Sequence, residues 1–322
     1  MAQLTNTYET VSTKGIREDL SDIIANISPT DTPFTTSIRS GKADATYTEW
    51  QTDALAAAAA NKRLEGDETT FSASTPTQRL GNRTQISSKD VNVSGTNRAV
   101  RAAGRSDELA YQIAKRSKEL KRDIEFELTG KNPIVVEAGG PPTTTARQSG
   151  GLELWITTNV SLGSGGASVA KTNGQPNNAA ALTDGTQRPF DEEDLKTVTA
   201  AAWTAGGSPS ILMVGPFNKR AVSAFTGNAT RTIDATGKRL QTAIDVYAHD
   251  FGELTVVPNR FNRDRTAVVY DPEYWELRWL RPIFMEDLAK TGDADKKHII
   301  GEWTLAAMQE AASGKVADLT TS

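Results

Sequence analysis

Cysteine is absent from this chain of 322 residues, and histidine occurs only at His249 and His298. The lack of cysteine excludes disulfide bonds, thiol nucleophiles and zinc sites built from cysteine. Neither histidine has a second imidazole near it in sequence or a thiol to activate, so an ordinary surface or strand position is favoured for both. The two absences together leave little material for a catalytic centre.

Long hydrophobic runs are also missing. The longest conspicuous run covers residues 54–60, far short of the roughly 20 apolar residues that span a bilayer. Residues 1–15 lack the basic start and apolar centre of a signal peptide. We therefore expect a soluble product that is not secreted and does not contact a membrane.

The chain has no excess of positive charge. Lysine and arginine number 36 against 40 aspartates and glutamates, which gives a formal net charge of -4. Tight general binding of nucleic acid needs a cationic surface, so this balance argues against it. With a mean hydropathy of -0.45, the composition indicates long loops or arms beside modest cores.

The most regular segment is residues 106–128, where the spacing of apolar residues predicts a long amphipathic helix. Ser106 is placed to cap its first turn, and Gly130 follows its end. At 1.5 Å per residue this helix would be about 35 Å long, so it would serve as a spine for the fold. Its apolar stripe consists of Leu109, Ile113, Leu120, Ile124 and Leu128.

The charged remainder of the helix has two interpretations. On a solvated face, Glu125 would pair with Lys121 and Arg122, each pair contributing roughly 0.2–0.5 kcal/mol. On the other interpretation, the charged sides lie against neighbouring subunits. The solvated face is favoured, but the sequence leaves both open.

The chain before the helix predicts an arm and an extended hairpin. Residues 1–45 contain one short amphipathic piece that is closed by prolines, which is typical of an arm. Residues 46–98 alternate like strands at both ends, in TYTEWQTDAL and RTQISSKDVNVSG, around a polar middle. A β-ribbon with so few apolar residues would be only marginally stable by itself in water, so we expect something outside the chain to cover it.

The chain after the helix predicts a surface excursion, a lobe and a set of strands. Residues 157–189 are rich in glycine, serine, asparagine and threonine, which favours a flexible segment. Helices alternate with strands between residues 190 and 271, as in an α/β lobe. The strands predicted after residue 272, which end with GKVADL at 314–319, would form a sheet with the long helix.

Three polar clusters have both a chemical and a structural interpretation. The glycines at 163, 165 and 166 lie in a polar loop, so flexibility is favoured over a dinucleotide site. The four acids at 191–194 suit the start of a helix better than a metal. Asp293 and Asp295 resemble the start of a calcium loop, but the glycine and glutamate required later are out of place, which favours a turn.

Aromatic residues near the end of the chain also have two interpretations. They would form either a base-stacking platform or sheet core, and their alternation along predicted strands favours core. These residues are Trp275, Trp279, Phe284 and Trp303. Since no spacing predicts a pocket with convergent polar groups, the sequence predicts no catalytic residue, no cofactor and no metal.

Four strings resemble one family. They are TYETVSTKGIREDLSDIIANISPTDTPFTTSI (7–38), ARQSGGLELWITTN (146–159), DLKTVTAAAWTAGGSPSILMVGPFNKRAVSAF (194–225) and, most specifically, DVYAHDFGELTVVPNRF to DPEYWELRWLRPIFMEDLAKTGDADKKHIIGEWTL (245–305). They are similar to the major capsid proteins of tailed bacteriophages, in the branch like that of phage SU10. The resemblance omits chiefly residues 160–189, and it implies an α+β protein with the HK97-type capsid fold.

The resemblance implies a role for each part of the chain. The polar arm and hairpin would gain their burial from neighbouring subunits in a shell. The implied parts are an N-terminal arm (1–45), an extended β-hairpin loop (46–98), the first part of a peripheral domain (99–189) with the spine helix (106–128) and a flexible loop (160–189), an α/β axial domain (190–271), and C-terminal strands of the peripheral domain sheet (272–322).

The function implied by the resemblance is structural. Hexamers and pentamers would close an icosahedral shell around double-stranded DNA, assembled in the bacterial host cytoplasm and retained in the virion. A portal at one vertex is an expected partner, scaffold and decoration proteins are further candidates, and the DNA would be contacted weakly and without sequence specificity. An encapsulin-like nanocompartment and a tail or adhesin component are the alternatives, and an enzyme is the weakest.

The residues expected at assembly interfaces lie in the arm and the hairpin loop. For Trp50→Ala we predict a larger loss of assembly than of monomer folding. Some relatives of this fold form lysine–asparagine cross-links, for which Lys62 and Lys89 are the loop candidates, although nothing in the sequence marks a partner. The expected interface residues are Ile16, Leu20, Ile24, Trp50, Leu64 and Phe71.

Overall fold

The structure is a computed structural model that describes residues 28–66, 68–69, 71, 73–100, 106–139, 142–177, 181–225 and 245–321. Its α-helices are α1 (Pro33–Ser37), α2 (Gly95–Ala99), α3 (Glu108–Thr129), α4 (Leu152–Trp155), α5 (Glu192–Thr204) and α6 (Pro216–Ser223). Its strands are β1 (Arg39–Lys42), β2 (Tyr47–Thr52), β3 (Gln78–Arg83), β4 (Gln85–Ser94), β5 (Val160–Ser161), β6 (Lys171–Thr172), β7 (Gln175–Pro176), β8 (Ile211–Val214), β9 (Val246–His249), β10 (Gly252–Pro258), β11 (Ala267–Tyr270), β12 (Trp275–Asp287), β13 (Ala294–Ala307) and β14 (Gly314–Val316).

The long helix predicted from the apolar spacing is confirmed as α3. Its first turn is capped by Asp107, whose carboxylate accepts a hydrogen bond from the Leu109 backbone N–H at 3.0 Å. The predicted cap, Ser106, is therefore wrong by one residue, because the helix begins at Glu108 and the residue directly before it holds the capping position. Gly130 ends the helix as expected.

A four-stranded sheet in the order β1-β12-β13-β4 lies beside α3. Strand β13 pairs antiparallel with β12 and β4, while β1 pairs parallel with β12. The tryptophans of these strands form core as predicted, since Trp275 and Trp303 are buried and Trp279 faces Trp303 across the ladder. Phe284, farther along β12, is exposed and is not core. The sheet and the apolar stripe of α3 therefore share one core.

A six-stranded sheet in the order β5-β14-β11-β8-β10-β9 forms the second layer of the fold. Helix α5 packs on β5 and β14, and α6 packs on β10. The acids at 191–194 stand at the start of α5, as their pattern predicted. Strand β14 corrects the prediction for GKVADL, because it pairs with β11 and β5 and not with the sheet beside α3.

The glycine-rich excursion is more ordered than its composition predicted. Val169 and Leu182 within it are buried, and the buried Asp318 carboxylate accepts hydrogen bonds from the backbone N–H groups of Gly163 and Gly185 at 3.0 and 2.7 Å. A Cβ atom on either glycine would collide with this carboxylate or the neighbouring backbone. Glycine is required here for close approach, so the interpretation as a flexible segment is wrong for this part.

The predicted hairpin is shorter than residues 46–98. Strand β2 pairs antiparallel with β3, and these two strands form the hairpin. Strand β4, predicted to be its second strand, instead pairs with β13 and packs Val91 and Val93 against Leu109 of α3. Burial of this alternating apolar face against the helix explains why β4 leaves the hairpin.

None of the described helices is long and apolar enough to cross a membrane.

Candidate assembly surfaces

The stem of the hairpin is anchored in the core of its own chain. Trp50 on β2 faces Leu80 on β3, and both side chains are only 6% exposed. The Trp50 ring lies 5.3 Å from the Trp155 ring, centroid to centroid. On the other edge, the Gln175 side chain exchanges two hydrogen bonds with the Gly81 backbone, at 2.8 and 2.9 Å. The stem therefore has a fixed direction relative to the body.

The tip of the hairpin, residues 53–77, is uncovered. Every described residue in this tip is exposed, including three large apolar side chains: Leu55 at 99%, Leu64 at 82% and Phe71 at 96%. Fully burying such a side chain contributes about 1.5–3 kcal/mol. A tip that presents three of them gains several kcal/mol once a partner surface covers it.

The structure places the sequence-predicted interface residues in three different situations. Leu64 and Phe71 stand on the uncovered tip, where a neighbouring subunit can reach them. Trp50 does not, because the Trp155 contact already buries it, so its assignment as an interface residue is corrected to core. Ile16, Leu20 and Ile24 lie outside the described residues. Leu55, the third large apolar residue on the tip, was not among the predicted interface residues. A leucine that precedes an alanine run in a polar loop was a usable signal for it.

A buried acid network sets the root of the hairpin. Glu302 on β13 is 3% exposed and accepts hydrogen bonds from the Thr84 hydroxyl at 2.8 Å, Arg281 Nε at 3.0 Å and the Arg147 guanidinium. Burial acts to raise the pKa of Glu302, but the Thr84 and Arg147 hydrogen bonds outweigh it and hold this pKa below its usual range. Thr84 lies between β3 and β4, so the network fixes where the hairpin leaves the sheet.

A second buried acid joins three parts of the chain. The Glu125 carboxylate accepts hydrogen bonds from the Phe34 and Thr35 backbone N–H groups, both at 2.8 Å, and from Asn259 Nδ2 at 2.7 Å. Glu125 is fully buried. The predicted pairing of Glu125 with Lys121 and Arg122 on a solvated face is therefore wrong. Helical spacing did not reveal it, because Glu125 lies beside the apolar stripe and its donors come from distant segments.

Two further apolar surfaces are exposed at the ends of the fold. In the α/β lobe, Trp203 and Phe251 are exposed, and their rings lie 5.0 Å apart, centroid to centroid, with their planes tilted by 31°. Near the turn between β12 and β13, Phe284, Met285 and Leu288 are exposed. Exposed apolar groups in such clusters indicate contact surfaces rather than isolated surface residues.

Asp184 ties the excursion to the end of α3. Its carboxylate accepts hydrogen bonds from Lys131 Nζ at 2.7 Å and from the Arg263 guanidinium at 2.8 and 3.0 Å. Burial acts to raise the pKa of Asp184, but the hydrogen bonds from Lys131 and Arg263 outweigh it and lower this pKa to about 2.

Asp184→Asn is expected to reduce stability in a pH-dependent way. The folded-state pKa lies below the unfolded value of about 3.9, so ionised Asp184 stabilises the fold above about pH 4, and this stabilisation is lost as the pH falls toward about 2. We expect the variant to lose about 2 kcal/mol of unfolding free energy at neutral pH and about half as much near pH 3. Urea unfolding at both pH values measures this difference. Asp44→Asn, which removes an exposed partner of Lys42, is the control, and an equal loss there would contradict the assignment.

The residues considered for catalysis have structural partners. His298 on β13 lies 2.7 Å from the Asp90 carboxylate on β4, and His249 on β9 accepts a hydrogen bond from the Phe251 backbone N–H at 3.2 Å. Burial lowers the pKa of His249. Asp293 lies in the turn before β13, as favoured. Among the residues that the structure describes, no group of three or more histidines, aspartates or glutamates is placed to hold a metal ion.

The match to known proteins extends over nearly the whole chain. The family model described as SU10 major capsid protein matches residues 3–320. The chain belongs to the SU10 major capsid protein family. A curated relative, the major capsid protein of Escherichia phage Phieco32, is 28% identical over 90% of this chain and 91% of its own length.

Solved capsid structures share the fold of this capsid protein. The Cyanophage A-1(L) capsid asymmetric unit superposes with a TM-score of 0.69 at 12% identity, covering 95% of this chain and 98% of that one. The Gordonia phage Cozz structure gives 0.60 at 11% identity, covering 95% and 92%. These neighbours have the HK97-type fold, so the expected α+β architecture of that type is confirmed.

The comparisons also decide between the functions considered from sequence. The protein is a phage major capsid protein and a structural component of the virion capsid, which is favoured over the nanocompartment and tail or adhesin alternatives. Its family is a structural one and not an enzyme class.

The two lysines considered for cross-linking differ in position. Lys89 lies on β4, outside the hairpin, and pairs with Asp123 of α3 at 2.6 Å. Its assignment to the loop is corrected, because β4 belongs to the four-stranded sheet. Lys62 is exposed on the tip. A cross-link through Lys62 stays a prediction.

Proposed function

We propose that the capsid protein forms hexamers and pentamers, and that these close an icosahedral shell around double-stranded phage DNA. The uncovered hairpin tip is the observation that carries the proposal. A fixed stem projects three apolar side chains that no described residue of the same chain buries. Repetition of one such contact under rotational symmetry is how identical subunits build closed assemblies.

The parts of the chain receive roles within this proposal. The hairpin covers a neighbouring subunit, the α/β lobe faces the capsomer axis with Trp203 and Phe251, and the sheet beside α3 forms the peripheral domain. The N-terminal arm, predicted as residues 1–45, is shorter than predicted, because Pro33–Ser37 and Arg39–Lys42 pack on their own chain as α1 and β1. The part of the arm before α1 reaches a second neighbour. The contact between α1 and Glu125 supports that role, because it fixes the point at which the arm leaves the body.

The proposal includes further partners. A portal occupies one vertex, and the shell assembles in the cytoplasm of the bacterial host. Scaffold and decoration proteins are additional candidates; the solved Phage G structure, with a TM-score of 0.53 and 11% identity, is described as containing major capsid and decoration proteins. The DNA is contacted weakly and without sequence specificity, in keeping with the formal charge of -4.

Negative-stain microscopy of the purified protein tests the shell directly. Closed shells, or hexamers and pentamers, are the expected particles. A defined small oligomer that never forms curved lattices, even after co-expression with the scaffold genes of the same phage, would contradict the proposal.

A tip variant tests which residues make the contact. Leu55→Ser, Leu64→Ser and Phe71→Ser, combined in one chain, are expected to change the unfolding free energy by less than about 0.5 kcal/mol per site, because all three side chains are exposed. The same variant is expected to lower the assembled fraction at least tenfold, as measured by size-exclusion chromatography and microscopy beside wild type.

The matched control changes the same tip without removing large apolar groups. Ala56→Ser, Ala58→Ser and Ala60→Ser introduce three hydroxyls at exposed positions and should assemble like wild type. If both triple variants assemble normally, the tip does not make the contact.

A further inference from the structure

The exposed face of α3 carries a basic stripe, which we define as Lys115, Lys118, Lys121 and Arg122. The three lysines are exposed, while the Arg122 guanidinium lies 5.7 Å from the centre of the Phe261 ring. At 3.6 residues per turn and 1.5 Å per residue, the four side chains fall within about 120° of the helix circumference and about 10 Å of its length. They therefore form one compact cationic surface.

The carboxylates nearest to the basic stripe are engaged elsewhere. Glu119 pairs with Arg116 at 2.7 Å, and Asp123 pairs with Lys89 at 2.6 Å. Glu125 is buried under the hydrogen bonds from Phe34, Thr35 and Asn259. Within the described part of the chain, no carboxylate lies within 4.0 Å of the three stripe lysines. Glu119 still interacts with Lys115 at longer range, but within the described residues the three lysines form no ion pair, so the stripe is a local excess of positive charge on a chain whose formal net charge is -4.

We propose that the basic stripe contacts the phosphates of the packaged DNA and places α3 on the inner side of the shell. This inference rests on the proposed function, because it requires that the shell encloses duplex DNA. The duplex carries one negative charge about every 1.7 Å of its axis, so a stripe about 10 Å long meets several phosphates at once. Lysine ammonium groups act as point charges and fix no base identity, so the contact is independent of sequence.

An acidic segment of a neighbouring copy is the competing occupant. The hairpin tip carries four acids, Asp53, Glu65, Asp67 and Glu68, but also two bases, Lys62 and Arg63, which offset half of this negative charge. The tip is therefore mixed in charge, whereas DNA is uniformly negative. Charge complementarity favours the DNA.

The test compares two triple variants that remove the same amount of charge. One is Lys115→Gln, Lys118→Gln and Lys121→Gln, which keeps residues of similar helix propensity on α3. The control is Lys42→Gln, Lys196→Gln and Lys290→Gln, which removes three lysines paired with Asp44, Glu192 and Asp295. Both variants lower the formal charge equally, so any difference between them reports position and not net charge.

The measurement is fluorescence anisotropy of a labelled duplex with the purified full-length chain before assembly. Two unrelated duplexes of about 30 base pairs are titrated between about 50 and about 200 mM salt. The stripe variant is expected to bind at least tenfold more weakly than wild type at the lowest salt. Its slope of log affinity against log salt should fall by about 2.7, which is about 0.9 for each of three lost phosphate contacts. The control should keep the wild-type slope.

Several outcomes would overturn the proposal. Equal losses in both variants would mean that net charge alone sets the affinity. Unchanged DNA affinity with failed shell formation in the stripe variant would assign the stripe to a neighbouring copy. Shell formation is scored separately by microscopy, so a wild-type chain that forms no shells counts against the proposed function, whereas the DNA affinities alone decide the stripe.

Discussion

Glu302→Ala is expected to lower the unfolding free energy by about 3–5 kcal/mol, the usual range when one partner of a buried ion pair is removed. The carboxylate neutralises Arg147 and Arg281 and accepts a hydrogen bond from Thr84. Without it, Arg147 keeps its charge in a partly buried place, where its remaining ion pair among the described residues is with the exposed Glu137. The hairpin root would also lose the Thr84 contact, so we expect weaker assembly of the molecules that still fold.

Chemical unfolding followed by tryptophan fluorescence measures the effect of Glu302→Ala. Glu273→Ala is the matched control, because Glu273 forms an exposed pair with Arg39 at 2.8 Å. Exposed pairs contribute about 0–1 kcal/mol, so this variant should lie close to wild type. Similar losses for both variants would mean that the Glu302 network is not a stabilising unit.

Trp50→Ala is the second change with a large expected effect. Its ring is buried against Trp155. Truncating a buried tryptophan to alanine typically lowers the unfolding free energy by about 3–5 kcal/mol. The expectation from sequence alone, a larger loss of assembly than of monomer folding, is therefore reversed: we expect folding to fail first and assembly to follow it.

Thermal unfolding and particle yield, measured on the same preparations, test this reversal. Trp203→Ala is the control, because it removes an indole from a half-exposed position. We expect it to lower the unfolding free energy by no more than about 1 kcal/mol. A Trp50→Ala monomer that is as stable as wild type but forms no shells would restore the interface assignment.

Local periodicity predicted much of the fold, and the family resemblance supplied the rest of the architecture. The stripe of α3, the acids that begin α5 and the alternation along β12 and β13 are all signals within one element. They predicted the elements correctly because the spacing of polar and apolar residues within one helix or strand already shows which face is buried. The exposed tip was also predictable, since its residues are too polar to bury one another.

The residues that join distant segments were not predictable. Glu125 was assigned to a solvated face because Lys121 and Arg122 stand four and three positions before it, while its hydrogen-bond donors lie about 90 and 134 positions away. Gly163 and Gly185 were assigned to a flexible loop from the composition of that loop. The carboxylate that requires glycine at both positions belongs to Asp318, which is far away in sequence. Such contacts depend on the tertiary fold, and no pattern within a short window encodes them.

The position of β14 has a consequence for synthesis of the chain. The central strands of the six-stranded sheet come from residues 211–270, yet β14 lies between β11 and β5 and is made only when residue 316 is reached. The α/β lobe therefore cannot complete its core while the nascent chain is still being translated through residue 313. A chain that ends before residue 314 therefore lacks the strand that joins β5 to β11 in the six-stranded sheet.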